Sequence, residues 1–175
     1  ASPAKPEAGD YPLLETGLET AEEMLAARIE YLIENGPAYM NWSDLMAAPE
    51  DYFVVNYWGE EDYLGMGHFD GAFQYTPKAS FGTDTLLATL PTDMPIAVYC
   101  YSGQTGSQMA AYLTILGYDA YDIKFGTNAV IYDNMTSHKW TAEAPANFDY
   151  TGMVVASEFA TLTNYLEKEM GDYVN

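Results

Sequence analysis

Apolar residues recur at two different spacings along this chain, and the spacings predict alternating helices and strands. In residues 19–35 the apolar positions fall three and four apart, which predicts an amphipathic helix that ends at Gly36 and Pro37. Residues 52–56 and 96–99 are short continuous apolar runs, typical of strands that are buried on both faces. The other elements predicted in the first half are a short helix through Leu45 and Met46 that Asn41 or Ser43 caps and Pro49 ends, a helical turn at 60–64, a strand at 71–75 and a helix at 83–90 that Pro91 breaks.

The second half has the order strand, turn, helix, glycine, strand. The strand at 96–99 runs directly into Cys100, and after the turn at 101–106 a helix is predicted from about residue 107 to 116, with Gly117 as its C-terminal cap. A further strand at 120–124 follows. This βαβ unit predicts a parallel sheet with a right-handed crossover, in which ligands bind beyond the carboxyl ends of the strands. Cys100 lies at such an end, and a last helix is predicted at 157–170.

The charge balance excludes several classes of partner. The 175 residues carry 26 acidic and 6 basic side chains, a formal net charge of −20. Nucleic-acid binding requires a basic surface, and an anionic membrane surface repels such a chain. No run of roughly 18 apolar residues is present to span a membrane. We therefore expect a solvated, self-repelling acidic surface and a monomer, without nucleic-acid partners.

The sparse cysteine and histidine content argues against structural metal and disulfide chemistry. With one cysteine there is no internal disulfide, so the redox compartment is not fixed. His68 and His138 are far apart and form no metal-ligand spacing, so neither a metal nor a cofactor is expected. The N-terminal residues are rich in Ala and Pro, which favours an exported or periplasmic protein, with a cytoplasmic location as the alternative.

Cys100 is the main candidate for chemistry. A thiol becomes a good nucleophile when it ionises, and positive potential close to it lowers its pKa. A tight turn containing Gly103 and entering a helix can direct several backbone N–H groups at one point, where the helix dipole adds roughly half a positive charge. A buried, inert cysteine is the alternative, but the position at a strand-to-helix turn favours a functional thiol.

Three motifs in this order and spacing resemble the rhodanese family. The active-site loop of that family follows the pattern Cys-x-x-Gly-x-[Arg/Thr], which Cys100, Gly103 and Thr105 match; an Ala-Ala-x-Leu helix and a terminal Gly-Tyr follow it. Residues 67–72 match Gly-His-Ile-x-Gly-Ala, with Phe69 in place of Ile. Residues 124–126 correspond to the strand that ends in a glycine-containing loop beside the active site. The resemblance covers about residues 40–145.

The resemblance implies an α/β three-layer fold with a central parallel sheet of about five strands, and a sulfurtransferase function. Cys100 would accept a sulfane sulfur from a donor such as thiosulfate, a polysulfide or a persulfide, and pass it to a thiol or cyanide. It also implies a rhodanese-like domain at 38–148, between an N-terminal extension at 1–37 and a helical C-terminal extension at 149–175. The implied substrate-binding loop consists of Tyr101, Ser102, Gly103, Gln104, Thr105 and Gly106, with Lys124, Phe125 and Gly126 as a possible rim.

The sequence also departs from the family pattern, and these departures leave alternatives open. The Asp-x-Arg that commonly ends an early strand appears here as residues 56–58, Asn-Tyr-Trp, and the loop at 101–106 contains no basic residue. We therefore expect dianionic thiosulfate to be a poor donor. A non-enzymatic persulfide carrier or protein-binding module is the first alternative. Phosphatases and arsenate reductases on the same fold use Cys-x5-Arg, and Gly106 stands at that arginine position.

Overall fold

The central element of the structure, a computed structural model that describes residues 1–79, 81 and 86–140, is a parallel sheet. Its five strands are arranged in the order β1-β5-β4-β2-β3, and every neighbouring pair is parallel. The strands are β1 (Ala38–Met40), β2 (Phe53–Asn56), β3 (Phe73–Gln74), β4 (Ile96–Tyr99) and β5 (Ala120–Ile123), and the helices are α1 (Ala21–Asn35), α2 (Trp42–Ala47), α3 (Glu60–Gly65) and α4 (Gln104–Ile115). The chain divides into two compact units, Ala1–Trp140 and Thr141–Asn175, and the second lies outside the described residues.

Strand β4 forms the centre of the core because both of its faces are covered. Ile96 and Val98 belong to an apolar cluster that includes Leu113 of α4. Tyr99, which points to the opposite face, belongs to a second cluster that includes Leu45 of α2. All four residues of β4 are buried, as expected for a central parallel strand with helices on both sides. The fold therefore has three layers. Cys100 follows directly after β4, at the carboxyl end of this central strand.

Helix α1 packs against α4 and begins with a complete capping box. The Thr20 hydroxyl accepts a hydrogen bond from the backbone N–H of Glu23, and the Glu23 carboxylate accepts one from the N–H of Thr20. At the C-terminal end of α4, the Arg28 guanidinium of α1 donates hydrogen bonds to the carbonyl oxygens of Thr114 and Ile115. The distance to the Ile115 oxygen is 3.2 Å. Both carbonyls lie at the C-terminal end of α4, where that of Thr114 also accepts the N–H of Gly117 at 3.0 Å, so Arg28 both caps α4 and holds α1 to it.

The N-terminal residues contact the end of α4 and the segment that precedes β4. The N–H of Gly9 donates to the carbonyl oxygen of Ala88 at 2.7 Å. Farther along, the side chains of Pro12 and Leu14 lie so close to Gly117 that a Cβ there would be 3.1 and 2.6 Å from their nearest atoms. Gly117 thus ends α4 and also leaves room for the N-terminal segment to cross.

Most of the predicted elements are confirmed, and the differences have physical reasons. The strand at 96–99 has the predicted limits, and those around 52–56 and 120–124 are one residue shorter. Helix α4 begins at Gln104, three residues before the predicted start, because Gly103 rather than a later polar residue forms its N-terminal boundary. Strand β1 was not predicted, since a three-residue edge strand after a proline has no distinctive pattern.

Two other predicted helices lie partly or wholly outside the described residues. Within 83–90, the described residues contain a short 3-10 helix, Leu87–Thr89, and residues 82–85 lie outside the described part. The helix predicted at 157–170 lies wholly outside it. In residues 1–79, 81 and 86–140, no helix is both long enough and apolar enough to cross a membrane.

We predict that Arg28→Ala lowers the free energy of unfolding by about 1–3 kcal/mol, because two partly buried carbonyls lose a charged donor. Urea unfolding followed by circular dichroism measures the change. Glu30→Ala on the same helix is the matched control, since Glu30 is exposed, and it should differ from the parent by less than about 0.5 kcal/mol. Equal effects of the two substitutions would contradict the capping role of Arg28.

Candidate active site

The sulfur of Cys100 lies in a turn of backbone amides between β4 and α4. The Cys100 Sγ accepts hydrogen bonds from the N–H of Gly103 at 3.2 Å and from the N–H of Gly106 at 3.3 Å. The side chain is 1% exposed, so these bonds are little weakened by water. Both donors lie at the N-terminal end of α4, where the helix dipole is positive and favours an anion. The geometry suits a thiolate or the sulfur of a persulfide.

Gly103 makes this turn possible. Its φ of 91° lies in the left-handed region, which favours glycine, and it is the N-cap residue of α4. A Cβ at this position would also lie 3.2 Å from the backbone nitrogen of Phe125. The turn therefore requires glycine for both its backbone angles and its close contact with the neighbouring loop.

The loop after β5 fixes the backbone of the cysteine turn. The N–H of Thr127 donates to the carbonyl oxygen of Cys100 at 3.0 Å, and the N–H and side-chain amide of Asn128 donate to that of Tyr101 at 3.0 and 2.7 Å. Between these two segments there is no room for a side chain at Gly126, whose added Cβ would be 2.3 Å from the Cys100 carbonyl oxygen. The Trp42 indole N–H in turn donates to the Gly126 carbonyl at 2.8 Å. The position of Cys100 thus depends on contacts from another part of the chain.

Tyr101 extends from the turn into an aromatic stack. Its ring lies 4.0 Å from the ring of His138 and 4.8 Å from that of Trp58, measured between centroids. The Tyr101 hydroxyl donates to the Asp62 carboxylate. Burial, and then the hydrogen bond to Asp62, raise the pKa of Tyr101 well above its usual value. At neutral pH Tyr101 is therefore a neutral donor that anchors the loop.

Asp122 of β5 is a buried carboxyl directly beside the cysteine turn. Its side chain is 3% exposed, and Oδ1 has no hydrogen-bond partner in the described part of the chain. A Cβ added at Gly106 would lie 2.3 Å from Oδ1, so the carboxyl occupies the space that a side chain at residue 106 would need. Burial raises the pKa of Asp122 to about 7, because the charged form loses its hydration.

Five of the predicted site residues line one shallow cavity beside the cysteine turn, and Cys100 itself is not among the lining residues. The cavity volume is about 320 Å³. The lining residues are Tyr39, Ser102, Gly103, Gln104, Ser107, Asp122, Lys124 and Phe125. Lys124 and Phe125 are exposed at its rim. Of the predicted loop, Gly103 and Gly106 donate to the sulfur, whereas no hydrogen bond joins the side chains of Ser102, Gln104 or Thr105 to Cys100 among the described contacts.

Sequence reasoning missed four contributors: Asp122, Thr127, Asn128 and His138 as a partner of Tyr101. Only Asp122 carries a readable signal, a charged residue at an inward position of a buried strand. His68 stacks on Tyr63 with 3.7 Å between the ring centroids, and its Nδ1 lies 2.8 Å from the carbonyl oxygen of the same residue. No group of three or more potential metal ligands occurs in the described part of the chain.

Comparison with known proteins finds similarity at the level of structure. No family model matches this sequence, and no curated protein matches it. The fold is a three-layer α/β fold with a central parallel sheet. The five parallel strands with helices on both faces confirm the predicted class.

Three solved structures illustrate the extent of that similarity. A rhodanese-related protein from Thermoplasma volcanium is 20% identical, with 55% of this chain and 92% of that chain covered and a TM-score of 0.46. A protein from Bacillus halodurans is 15% identical, covering 69% and 96%, with a TM-score of 0.47. An NAD-dependent persulfide reductase from A. fulgidus is 16% identical, covering 58% of this chain and 17% of that chain, with a TM-score of 0.40. At these identities and TM-scores, no activity is inferred for this chain from its neighbours.

We predict that Gly126→Ala destabilises the protein by about 2–4 kcal/mol, because the added methyl group collides with the backbone of the cysteine turn. Thermal unfolding measures the loss. Gly71→Ala is the matched control, since Gly71 also has a positive φ, 79°, but has no atom within 4 Å of an added Cβ. The control should lose only the stability that results from placing a side chain at a positive φ, about 1 kcal/mol. Equal losses would contradict the close packing at Gly126.

The raised pKa of Asp122 predicts a pH-dependent stability. Because the folded protein retains this proton up to about pH 7 and the unfolded chain releases it near the ordinary aspartate pKa of 3.8, the contribution of this group to the free energy of unfolding falls as pH rises between these values. The full penalty above about pH 7 is at most about 4 kcal/mol, at roughly 1.4 kcal/mol for each pKa unit.

We therefore expect Asp122→Asn to be more stable than the parent at about pH 8, with the difference shrinking toward about pH 4. Urea unfolding across this pH range measures it. The exposed Asp93 provides a control, because Asp93→Asn changes the net charge by the same amount without relieving a buried carboxyl. A stability difference that does not vary with pH would be inconsistent with a buried, titrating Asp122.

Proposed function

We propose that this domain is a sulfurtransferase that carries a sulfane sulfur as a persulfide on Cys100. The observation that carries the proposal is the pair of hydrogen bonds from Gly103 and Gly106 to Sγ at the N-terminus of α4. Such donors lower the energy of a sulfur anion without a basic side chain. They are also fixed in place before reaction, since the loop at 126–128 holds the turn, so little reorganisation accompanies the chemistry.

The reaction proceeds in two half-reactions. The Cys100 thiolate attacks the sulfane sulfur of a donor, the sulfur–sulfur bond of the donor breaks, and its electron pair leaves with the donor thiolate. The product is a persulfide on Cys100. An acceptor nucleophile then attacks the outer sulfur, and Cys100 leaves as a thiolate. Covalent catalysis of this kind predicts ping-pong kinetics.

The charges around the site favour uncharged donors or donors with a single charge over thiosulfate. Residues 101–106 contain no Lys or Arg, and Lys124 is the only basic residue among those that line the cavity. Asp122 in the same cavity and the net charge of −20 oppose the approach of a dianion. Organic persulfides with a single negative charge fit these conditions better than thiosulfate does.

A second candidate function is delivery of the sulfur to a protein rather than to a small molecule. Phe125 is 59% exposed and Trp140 43% exposed, and their rings meet edge-on at 5.6 Å. Exposed aromatic side chains beside a reactive group are typical of protein-binding surfaces. The two candidates share the persulfide and differ in the acceptor.

Phosphatase and arsenate reductase chemistry is not proposed. Enzymes of these classes bind an oxyanion with an arginine six residues after the cysteine, a position that Gly106 occupies. Asp122 Oδ1 would lie 2.3 Å from a Cβ at that position, so an arginine has no space there. The carboxyl would also repel an oxyanion.

We predict that incubation with an organic persulfide adds the mass of one sulfur atom to the intact protein, that a reductant removes it, and that thiosulfate loads it more slowly. Intact-mass spectrometry measures the increment, with and without reductant. Cys100→Ser is the matched control and should show no increment, because it keeps the size of the side chain but cannot form a persulfide. No increment with any donor would refute the proposal.

A further inference from the structure

We propose that Asp122 is the general base that removes the proton from a thiol acceptor as the acceptor takes sulfur from Cys100. This inference rests on the proposed persulfide function and names both the acceptor class, small thiols, and a second residue that reacts.

The first support is the location of the carboxyl. In the sheet, Asp122 lies between Tyr39 of β1 and Val98 of β4, and its side chain lies beneath the first turn of α4. A Cβ at Gly103 would be 3.6 Å from Oδ2, and a Cβ at Gly106 would be 2.3 Å from Oδ1. The two glycines that hold the Cys100 sulfur are thus the two that contact the Asp122 carboxyl.

The second support is an unpaired oxygen of this carboxyl. Oδ1 of Asp122 is fully buried and accepts no hydrogen bond from any residue that the structure describes. Buried polar groups are nearly always paired, and an exception calls for an explanation. An Asp in the middle of a sheet, with a free oxygen next to the reactive turn, costs stability and contributes nothing to packing that an apolar residue could not supply. A role in proton transfer accounts for that cost.

The third support is access. Asp122 and Gly103 both line the cavity of about 320 Å³ beside the cysteine turn, which is large enough for a small thiol. A thiol in this cavity lies within reach of the carboxyl and next to the residue whose N–H holds the Cys100 sulfur. Proximity of base, nucleophile and electrophile is the geometric requirement for general base catalysis.

The charged and titratable groups around Asp122 are few. Cys100 follows β4, Tyr39 belongs to β1, and Lys124 follows β5 at the cavity rim; the cavity-lining residues of α4, Gln104 and Ser107, are uncharged. Burial raises the pKa of Asp122 to about 7, near the pH at which a general base is most effective.

The step balances in atoms and charge. The acceptor R–SH gives its proton to the Asp122 carboxylate and attacks the outer sulfur of the protonated Cys100 persulfide. A new sulfur–sulfur bond forms in R–S–SH, the bond to Cys100 breaks, and its electron pair stays on Cys100 as a thiolate. The sulfane sulfur keeps its oxidation level, so no further oxidant or reductant is needed.

The site carries one negative charge throughout this step. Before transfer the charge lies on the Asp122 carboxylate, and afterwards it lies on the Cys100 thiolate, which accepts the N–H bonds of Gly103 and Gly106. Two anions against the same helix terminus would repel each other in a poorly solvated site. Passing the acceptor proton to Asp122 as the thiolate forms removes that repulsion.

The experiment compares an acceptor that must lose a proton with one that does not. Protein loaded with persulfide is isolated and mixed with 2-mercaptoethanol or with tris(hydroxypropyl)phosphine, a neutral phosphine that takes a sulfur atom without proton loss. Mass spectrometry of quenched samples gives the single-turnover rate. We expect Asp122→Asn to slow transfer to the thiol at least about tenfold at neutral pH, and transfer to the phosphine less than about twofold.

The pH dependence separates proton transfer from a structural effect. The defect of Asp122→Asn should disappear above about pH 9.5, where the thiol ionises in solution and needs no base. Asp93→Asn should match the parent with both acceptors. Equal slowing with thiol and phosphine, or no slowing with thiol, would overturn the inference while leaving the persulfide function intact. Failure of the parent protein to load sulfur would instead refute the proposed function itself.

Discussion

The rest of the site depends on the two backbone N–H groups that donate hydrogen bonds to the Cys100 sulfur at the end of β4. These donors and the helix terminus supply positive potential without a basic side chain. In a chain with a net charge of −20, this potential is local and insensitive to the acidic surface, because buried dipoles at hydrogen-bond distance outweigh screened charges farther away. On the function that we propose, such a site stabilises a sulfur anion and attracts dianions poorly.

The architecture around the site serves to keep that backbone in place. The five-stranded sheet brings the ends of β4 and β5 to the same edge, and the loop after β5 satisfies the carbonyls of Cys100 and Tyr101. Gly103 and Gly126 permit the two segments to approach each other more closely than side chains would allow. The backbone of the turn is therefore determined by long-range packing and not by its own sequence alone, which explains why a short motif is not sufficient to define the function.

The sequence predicts the features that depend on local patterns and not those that depend on tertiary contacts. The strand at 96–99, the turn and the position of Cys100 could be predicted, because apolar runs, glycine and a βαβ order are local patterns. The three-residue edge strand β1 and the early start of α4 at Gln104 could not, since pairing and the left-handed Gly103 depend on tertiary contacts. Asp122 was overlooked for a similar reason. Its position opposite Gly106 is a consequence of sheet register, which a linear pattern does not contain.

The Asp122 carboxyl and the Cys100 sulfur lie against the same helix terminus. The sulfur accepts hydrogen bonds from the N–H groups of Gly103 and Gly106, and these two glycines also lie beside the carboxyl. In the reaction that we propose, Asp122 therefore has opposite effects in the two half-reactions. As an anion it opposes negative charge on the attacking Cys100 sulfur, and as a base it assists the acceptor. On that proposal, the arrangement slows the uptake of sulfur and favours its release to a thiol.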